Sequence, residues 1–267
     1  MIGSTFAGLT ILERINHGGM ADIFLAADAQ DRRVILRVLL PEVRTDSRRI
    51  RQFKWGCSVL TKLEHPNLIH LIEHGEQAGT LFAVMEFVDG SNLRERILRA
   101  DPYLKANRMQ MLVGMASGLA HIHDHGFLHL DFKPENVLVP HSYFPKLIDF
   151  DLAVERPEKP KRIETPAGTP AYWSPEQLNQ EPIDERADIF AFGITAYEML
   201  CGKKPITGNS IEEILSKMAD LDHNLIPLRQ RAPDVPAAVE RVVLKCLEKD
   251  MSRRYPAMSL VVRDLQK

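Results

Sequence analysis

The sequence predicts a two-lobed α+β protein, rich in strands over its first third and in helices after that. Two apolar periodicities, and the switch between them, carry the prediction. Up to about residue 88 the apolar residues come in short runs punctuated by glycine turns, as strands require. Beyond "VDGSNL" they recur at helical spacing in "NRMQMLVGMASGLAHIHDHG", "ADIFAFGITAYEML" and "AAVERVVLKCLEK". The regimes meet near residues 89–92, giving a first lobe over 1–88, a linker over 89–92 and a second lobe over 93–267. At 267 residues the chain is long enough for one large domain or two intimate lobes.

Element by element, "TILERI" and "ADIFLAAD" read as strands flanking "NHGGM", a glycine turn. "RVILRVLL" is a buried strand that carries one charge in its middle, Arg37. An ionised group in so apolar a strand needs a partner or a ligand. A helical stretch follows over 47–63, then "LIHLIEHGE" and "TLFAVMEFV" as further strands. In the second lobe, "HLDFKPENVLV" over 129–139 is a loop running into an apolar strand, and "KLIDFD" is a second strand reaching Asp149.

Composition excludes several classes. Apolar residues make up 45% and charged residues 26%, an ordinary globular mixture, and a net charge of −2 gives no global pull toward nucleic acid or an anionic membrane. The three cysteines, Cys57, Cys201 and Cys246, form no CxxC pair and suit a reducing compartment. No stretch approaches the roughly 18 apolar residues of a membrane helix, and "MIGSTFAGLTILERI" lacks the basic start and apolar core of a signal peptide. The expectation is a soluble, cytoplasmic protein that neither enters a membrane nor binds nucleic acid.

The chemistry concentrates in two loops. Asn136 and Asp149 are hard oxygen ligands at the ends of adjacent strands, a pair suited to Mg²⁺ with phosphates. Lys133 adds a positive charge, and Asp131 can accept a hydroxyl proton. Asp131 or Asp149 alone would read as a turn or cap residue. Both in register with Lys133 and Asn136 do not.

The whole set resembles a eukaryotic-type protein kinase domain, most like the Ser/Thr kinases of bacteria. The resemblance runs in order through "HGGMADIFLA", "EHPNLI", "VMEFVDG", "HLDFKPEN", "IDFD", "GTPAYWSPEQL", "ADIFAFGITAYEML" and "EKDMSRRYPAM". It implies an antiparallel-sheet first lobe with a helix C and a mainly helical second lobe. It further implies Asp131 as catalytic base, Lys133 at the transferring phosphate in the Ser/Thr-type position, and Thr169 steadying both. Asn136 and Asp149 would bind metal. Gly18, Gly19, Ile23, Ile35, Arg37, the gatekeeper Met85, the hinge from Glu86 to Val88, and Leu138 would surround Mg-ATP. Glu176 would pair with Arg254, and Asp188 would anchor the catalytic loop.

Several positions depart from the family's pattern. Arg37 stands where a lysine grips the α- and β-phosphates, and its planar fork is a different shape from an ammonium. The helix-C glutamate that pairs with that lysine aligns with Gly56, so helix C offers no acid. "DFG" has become Asp149-Phe150-Asp151, which removes a glycine's backbone freedom and adds an anion. Arg37 is expected to pair with Asp151 or Asp149. Ile35 replaces an alanine that packs on adenine, and Ile23 a smaller valine. Overpacking costs ~1–3 kcal/mol, or roughly 10–100-fold in affinity. The first glycine of the glycine loop is Asn16 and the third Ala21, while Gly19 and Met20 fit the bacterial variant. Leu130 replaces the arginine that clamps a phosphorylated activation loop, leaving Thr165 without its main partner. Lys159, Lys161 and Arg162 read as a solvated stretch.

Weighed together, these losses lead to the expectation of a pseudokinase, a kinase fold acting as a regulatory or scaffolding module with Mg-ATP binding weakened or lost. The alternative is a slow atypical Ser/Thr kinase using Arg37 in place of lysine. Use of the nucleotide for another transfer has no positive support. Reverting Ile35→Ala, Arg37→Lys and Gly56→Glu together is the expected route to restored nucleotide binding. Near helix C, Arg44, Arg48, Arg51 and Trp55 recur at helical spacing, a stripe that reads first as a solvated face and otherwise as a docking surface; a signalling partner, if there is one, is expected there or on the second lobe.

Overall fold

The first lobe is built on a six-stranded antiparallel sheet. The computed structural model describes residues 2–163, 167–206, 208 and 210–267. The sheet comprises β1 (Thr5–Phe6), β2 (Leu9–His17), β3 (Ala21–Ala27), β4 (Arg33–Leu39), β5 (Leu71–Gln77) and β6 (Thr80–Glu86), in the order β1-β2-β3-β4-β6-β5. Strand alternation sorts β4 into two faces. Val34, Leu36 and Val38 join Leu9, Ile11, Phe24, Ala26, Phe82 and Val84 in one apolar cluster. Ile35 and Arg37 point the other way. Register places Ile23 opposite Arg37, Leu25 opposite Ile35, and Ile35 opposite Met85.

That second face is covered in part by α1 (Ser47–Leu60), the helix at the helix-C position. Asp46 caps it, its carboxylate accepting from the backbone N–H groups of Arg48 at 3.0 Å and Arg49 at 3.1 Å. Phe53, Gly56, Cys57 and Leu60 are its buried side, and Phe53 and Cys57 pack with Leu39, Leu81 and Ala83. All three cysteines are free thiols. "LIHLIEHGE" pairs as a strand only from Leu71 onward.

The second lobe begins earlier than composition suggested. Residues 90–92, expected as linker, form β7 (Gly90–Asn92) and pair antiparallel with β9 (Val137–Pro140), which pairs in turn with β10 (Lys146–Leu147). Gly, Ser and Asn look loop-like, but their backbone groups find ladder partners, as buried peptide groups must. The expected strand "KLIDFD" is regular over only two residues. Helices α2 (Leu93–Leu98), α3 (Pro102–Ala106) and α4 (Arg108–Asp124) follow, then β8 (Phe127–Leu128), which pairs with β11 (Val154–Glu155). The rest is helical: α5 (Pro175–Leu178), α6 (Arg186–Cys201), α7 (Ile211–Ala219), α8 (Leu221–Asn224), α9 (Leu228–Arg231), α10 (Ala237–Cys246) and α11 (Met258–Leu265). Helix α6 is apolar nearly all round and buried accordingly, and with α4 it centres the large core. Among the described residues no helix is long and apolar enough to cross a membrane.

Candidate active site

The loop from His129 to Asn136 is held from below. Asp188, near the start of α6, is fully buried and accepts backbone N–H bonds from His129 and Leu130, each at 2.8 Å. His123, at the end of α4, donates its Nε2–H to the same carboxylate at 2.8 Å. Leu130 lies in the left-handed region at φ 60°, a conformation costly for a branched side chain and kept because Asp188 over-determines it. Burial alone would push the Asp188 carboxyl up, but His123, His129 and the two N–H groups outweigh it and hold its pKa below the ordinary carboxylate value. The stability Asp188 contributes is therefore complete above about pH 4 and lost as pH falls through the depressed folded value. In denaturant titrations, the stability deficit of Asp188→Asn against wild type is expected to shrink as pH drops below about 4.

Above this anchor the polar groups converge. Lys133 Nζ donates to Asp131 Oδ2 at 2.8 Å and to Thr169 Oγ1 at 2.9 Å, joining the loop to the segment before α5. Asn136 Nδ2 donates to the Asp131 carbonyl at 2.8 Å and to Asp131 Oδ2 at 3.0 Å. These bonds commit the amide nitrogen to Asp131, so the amide oxygen is the end of the side chain that can act as a ligand. Gly168, at φ 111°, lies so close that a Cβ would sit 2.9 Å from Asp131 Oδ1. Asp149 adopts φ 66°, and Asp151 N–H reaches its Oδ1 only at 3.5 Å.

Two residues would hold Mg²⁺ here, Asn136 through its amide oxygen and Asp149 through its carboxylate. Among the described residues no cluster of three His, Cys, Asp or Glu side chains forms a protein-only metal cage. That donor set fits Mg²⁺, which usually takes one or two protein oxygens and completes its shell with phosphates and water.

Arg37 has a partner, and it is Asp151. The two form a bidentate pair: Nη1 donates to Oδ1 at 2.9 Å and Nη2 to Oδ2. The guanidinium also lies 5.1 Å from the Phe53 ring centroid. Burial opposes its charge, yet Asp151 and then Asp149 more than offset that and raise its pKa. Burial, and after it Asp149, push the Asp151 carboxyl up, while Arg37 pulls it down. The bidentate geometry is that of a guanidinium with a carboxylate.

The structure also explains Gly56. A Cβ there would come within 2.5 Å of Asp151 Oδ1 and 3.1 Å of Asp151 N. The absent helix-C acid and the extra acid of the "DFD" run are thus one change: Asp151 fills the space that a side chain on α1 would need. Two expectations are corrected. Asp151 strains nothing, because the left-handed angle falls on Asp149. Reverting Gly56→Glu beside Ile35→Ala and Arg37→Lys would collide with Asp151.

Around this pair, Ile23, Ile35 and Met85 are half-buried on the sheet face that carries Arg37. Val88 and Leu138 are likewise half-buried and pack against the second-lobe core. The Glu86 carboxylate is engaged away from this face by Lys146 Nζ at 2.7 Å and His70 N–H at 2.8 Å. The glycine turn is closed by Gly18 N–H to the Ala21 carbonyl at 3.1 Å, and Arg49 Nη1 donates to the Gly19 carbonyl at 3.0 Å. Glu176 and Arg254 form a buried bidentate pair at 2.6 and 2.8 Å. Thr165 lies outside the described residues.

Sequence reasoning missed Arg94. From α2 it donates to Glu198 on α6 at 2.6 and 3.1 Å, to Tyr172 Oη, and to Glu135 of the catalytic loop at 2.8 Å. In "NLRER" it reads as one more solvated charge, and nothing local marks it. Trp55 departs from the solvated-face reading of its stripe: it packs edge-on to Phe127 and donates its indole N–H to the Ala153 carbonyl at 2.7 Å.

Comparison with known proteins agrees with this geometry. A model of the protein kinase domain matches residues 9–265. The chain is 32% identical over 268 residues to the probable serine/threonine-protein kinase PknB of Lactococcus lactis, covering 99% of this chain and 42% of that protein. It is 31% identical over 269 residues to serine/threonine-protein kinase PrkC of Bacillus subtilis, covering 100% and 41%. With serine/threonine-protein kinase pkn2 of Myxococcus xanthus the figures are 32% over 254 residues, covering 91% and 30%. The chain spans less than half the length of these relatives. It is a bilobal domain with a catalytic-type loop in register and a family match over nearly its full length, and it belongs to the protein kinase domain family.

Proposed function

We propose that this domain transfers the γ-phosphate of Mg-ATP to serine or threonine hydroxyls of proteins, with Arg37 as the phosphate-gripping cation and Asp151 as its anchor. The observation that carries this reading is Lys133 bridging Asp131 and Thr169. A hydroxyl entering beside Thr169 gives its proton to the Asp131 carboxylate as its oxygen bonds the γ-phosphorus, and the bond to the β-phosphate oxygen breaks. Lys133 balances charge on the moving phosphoryl group. Mg²⁺ bound by Asn136 and Asp149 would neutralise the phosphates. Two of the five N–H donors of Arg37 are spent on Asp151, so three remain for phosphate oxygens.

The pseudokinase expectation rests on Ile35, Arg37, Gly56 and Asp151 together, and the pairing of Arg37 with Asp151 answers the missing-acid part of it. Ile23 and Ile35, bulky on the face where adenine would lie, still favour weak nucleotide affinity. Phosphate incorporation from labelled Mg-ATP into a Ser/Thr protein substrate, or into the domain itself, tests the proposal. Incorporation is expected to be slow and to fall at least ~10²-fold in Asp131→Asn. Absence of incorporation, or incorporation indifferent to that substitution, would overturn it.

A further inference from the structure

The charged stripe on α1 has a destination unrelated to the nucleotide. Arg48, Arg51, Gln52 and Trp55 lie at i, i+3, i+4 and i+7 and form one wall of a cavity of about 840 Å³, whereas Arg44 is not part of it. The opposite wall is the segment after the "DFD" run, which contributes Lys161 and Arg162. Among the described residues, no ion-pair partner meets the side chains of Arg48, Arg51, Lys161 or Arg162. Three acids also line the space, but Asp151 is committed to Arg37, leaving Glu155 and Glu181 against four cations. The floor is apolar: Leu128, Leu130 and Ile183 are buried there, with Val154 packed against them. Leu130 supplies part of that floor because it is not a cation.

We propose that this cavity is a binding site for an amphipathic organic anion, with its apolar body on the leucine floor and its carboxylate or phosphate head among Arg48, Arg51, Lys161 and Arg162. The volume falls in the ~300–1,000 Å³ range of small-molecule sites. An excess of cations over acids around an apolar floor favours an anion with a tail over either component alone. An occupant would touch Asp151, which holds Arg37, and Trp55, which ties α1 to Ala153.

Calorimetric titration of the folded domain, without nucleotide, tests the site independently of catalysis. The probes are decanoate, decyl phosphate, decanol and inorganic phosphate, each below its aggregation limit. Saturable one-to-one binding of decanoate or decyl phosphate is expected, at least tenfold tighter than decanol and than inorganic phosphate. The preferred head is read from the two decyl anions. Arg48→Glu/Arg51→Glu on one wall and Lys161→Glu/Arg162→Glu on the other are each expected to weaken binding at least tenfold. All four are exposed, so thermal midpoints should stay near wild type. Val154→Glu, which charges the floor, should weaken the decyl anions. No saturable binding, decanol equal to decanoate, inorganic phosphate equal to decyl phosphate, or binding unmoved by both wall variants would each overturn the proposal.

Discussion

Gly56→Glu alone is expected to cut phosphate incorporation by ~10²-fold or more, although it restores the residue type that the family pattern calls for. The side chain would enter space already filled by Asp151, whose Oδ1 lies 2.5 Å and backbone N 3.1 Å from where a Cβ would stand. A carboxylate forced beside another carboxylate costs both packing and charge. Asp151→Gly alone should lose a comparable factor, because Arg37 would remain half-buried without the carboxylate that holds it bidentately. Made together, Gly56→Glu and Asp151→Gly move the acid back onto α1, and activity is expected to return to within about tenfold of wild type, a coupling of ~4 kcal/mol or more in a double-mutant cycle. Phosphate incorporation reads the chemistry, and thermal midpoints separate it from unfolding. A fully active Gly56→Glu, or a double variant whose loss is the product of the two single losses, would show that the two positions are independent.

The same pair marks where legibility in the sequence ended. Ordered motifs made the fold readable, because strand and helix periodicities and the loop residues Asp131, Lys133, Asn136 and Asp149 are local patterns. A search for Arg37's partner along α1 counts residues on one helix. The acid that answers it is 114 positions away and meets Arg37 only through space. Both aspartates were visible as candidates, but Gly56 read as a loss because nothing in a linear count says what fills the space beside a glycine. Trp55 shows the same limit: helical spacing says which residues share a face and is silent on what the face meets. Arg94 shows the remaining limit. Its three carboxylate and hydroxyl partners come from three distant segments, and no spacing rule gathers them.

A second large effect is expected far from the nucleotide. Arg254→Met should lower the free energy of unfolding by about 3–5 kcal/mol, since removing one partner of a buried ion pair leaves the other charge stranded. Arg254 has no exposed side-chain surface, and besides Glu176 it donates to the carbonyls of Glu248, Arg186 and Lys249 at 2.7, 3.0 and 3.1 Å. Its guanidinium lies 4.7 Å from the Phe190 ring centroid. For a chain of this size the loss corresponds to a thermal shift on the order of 10 °C. Glu176→Leu combined with Arg254→Met should be less damaging than the two single losses added, because no charge is then left unpaired. Glu176 sits in α5, just beyond the Gly168–Thr169 segment that docks on Lys133, so the brace fixes where that segment ends. Because the partners of Arg254 are Glu176 and the carbonyls of Glu248, Arg186 and Lys249, and Lys133 holds Thr169 by its own hydrogen bond, Arg254→Met well below the lowered midpoint should keep phosphate incorporation within a few-fold of wild type. A variant with an unchanged midpoint and lost turnover would instead place Arg254 in the chemistry, against a geometry in which Lys133, not Arg254, reaches Asp131 and Thr169.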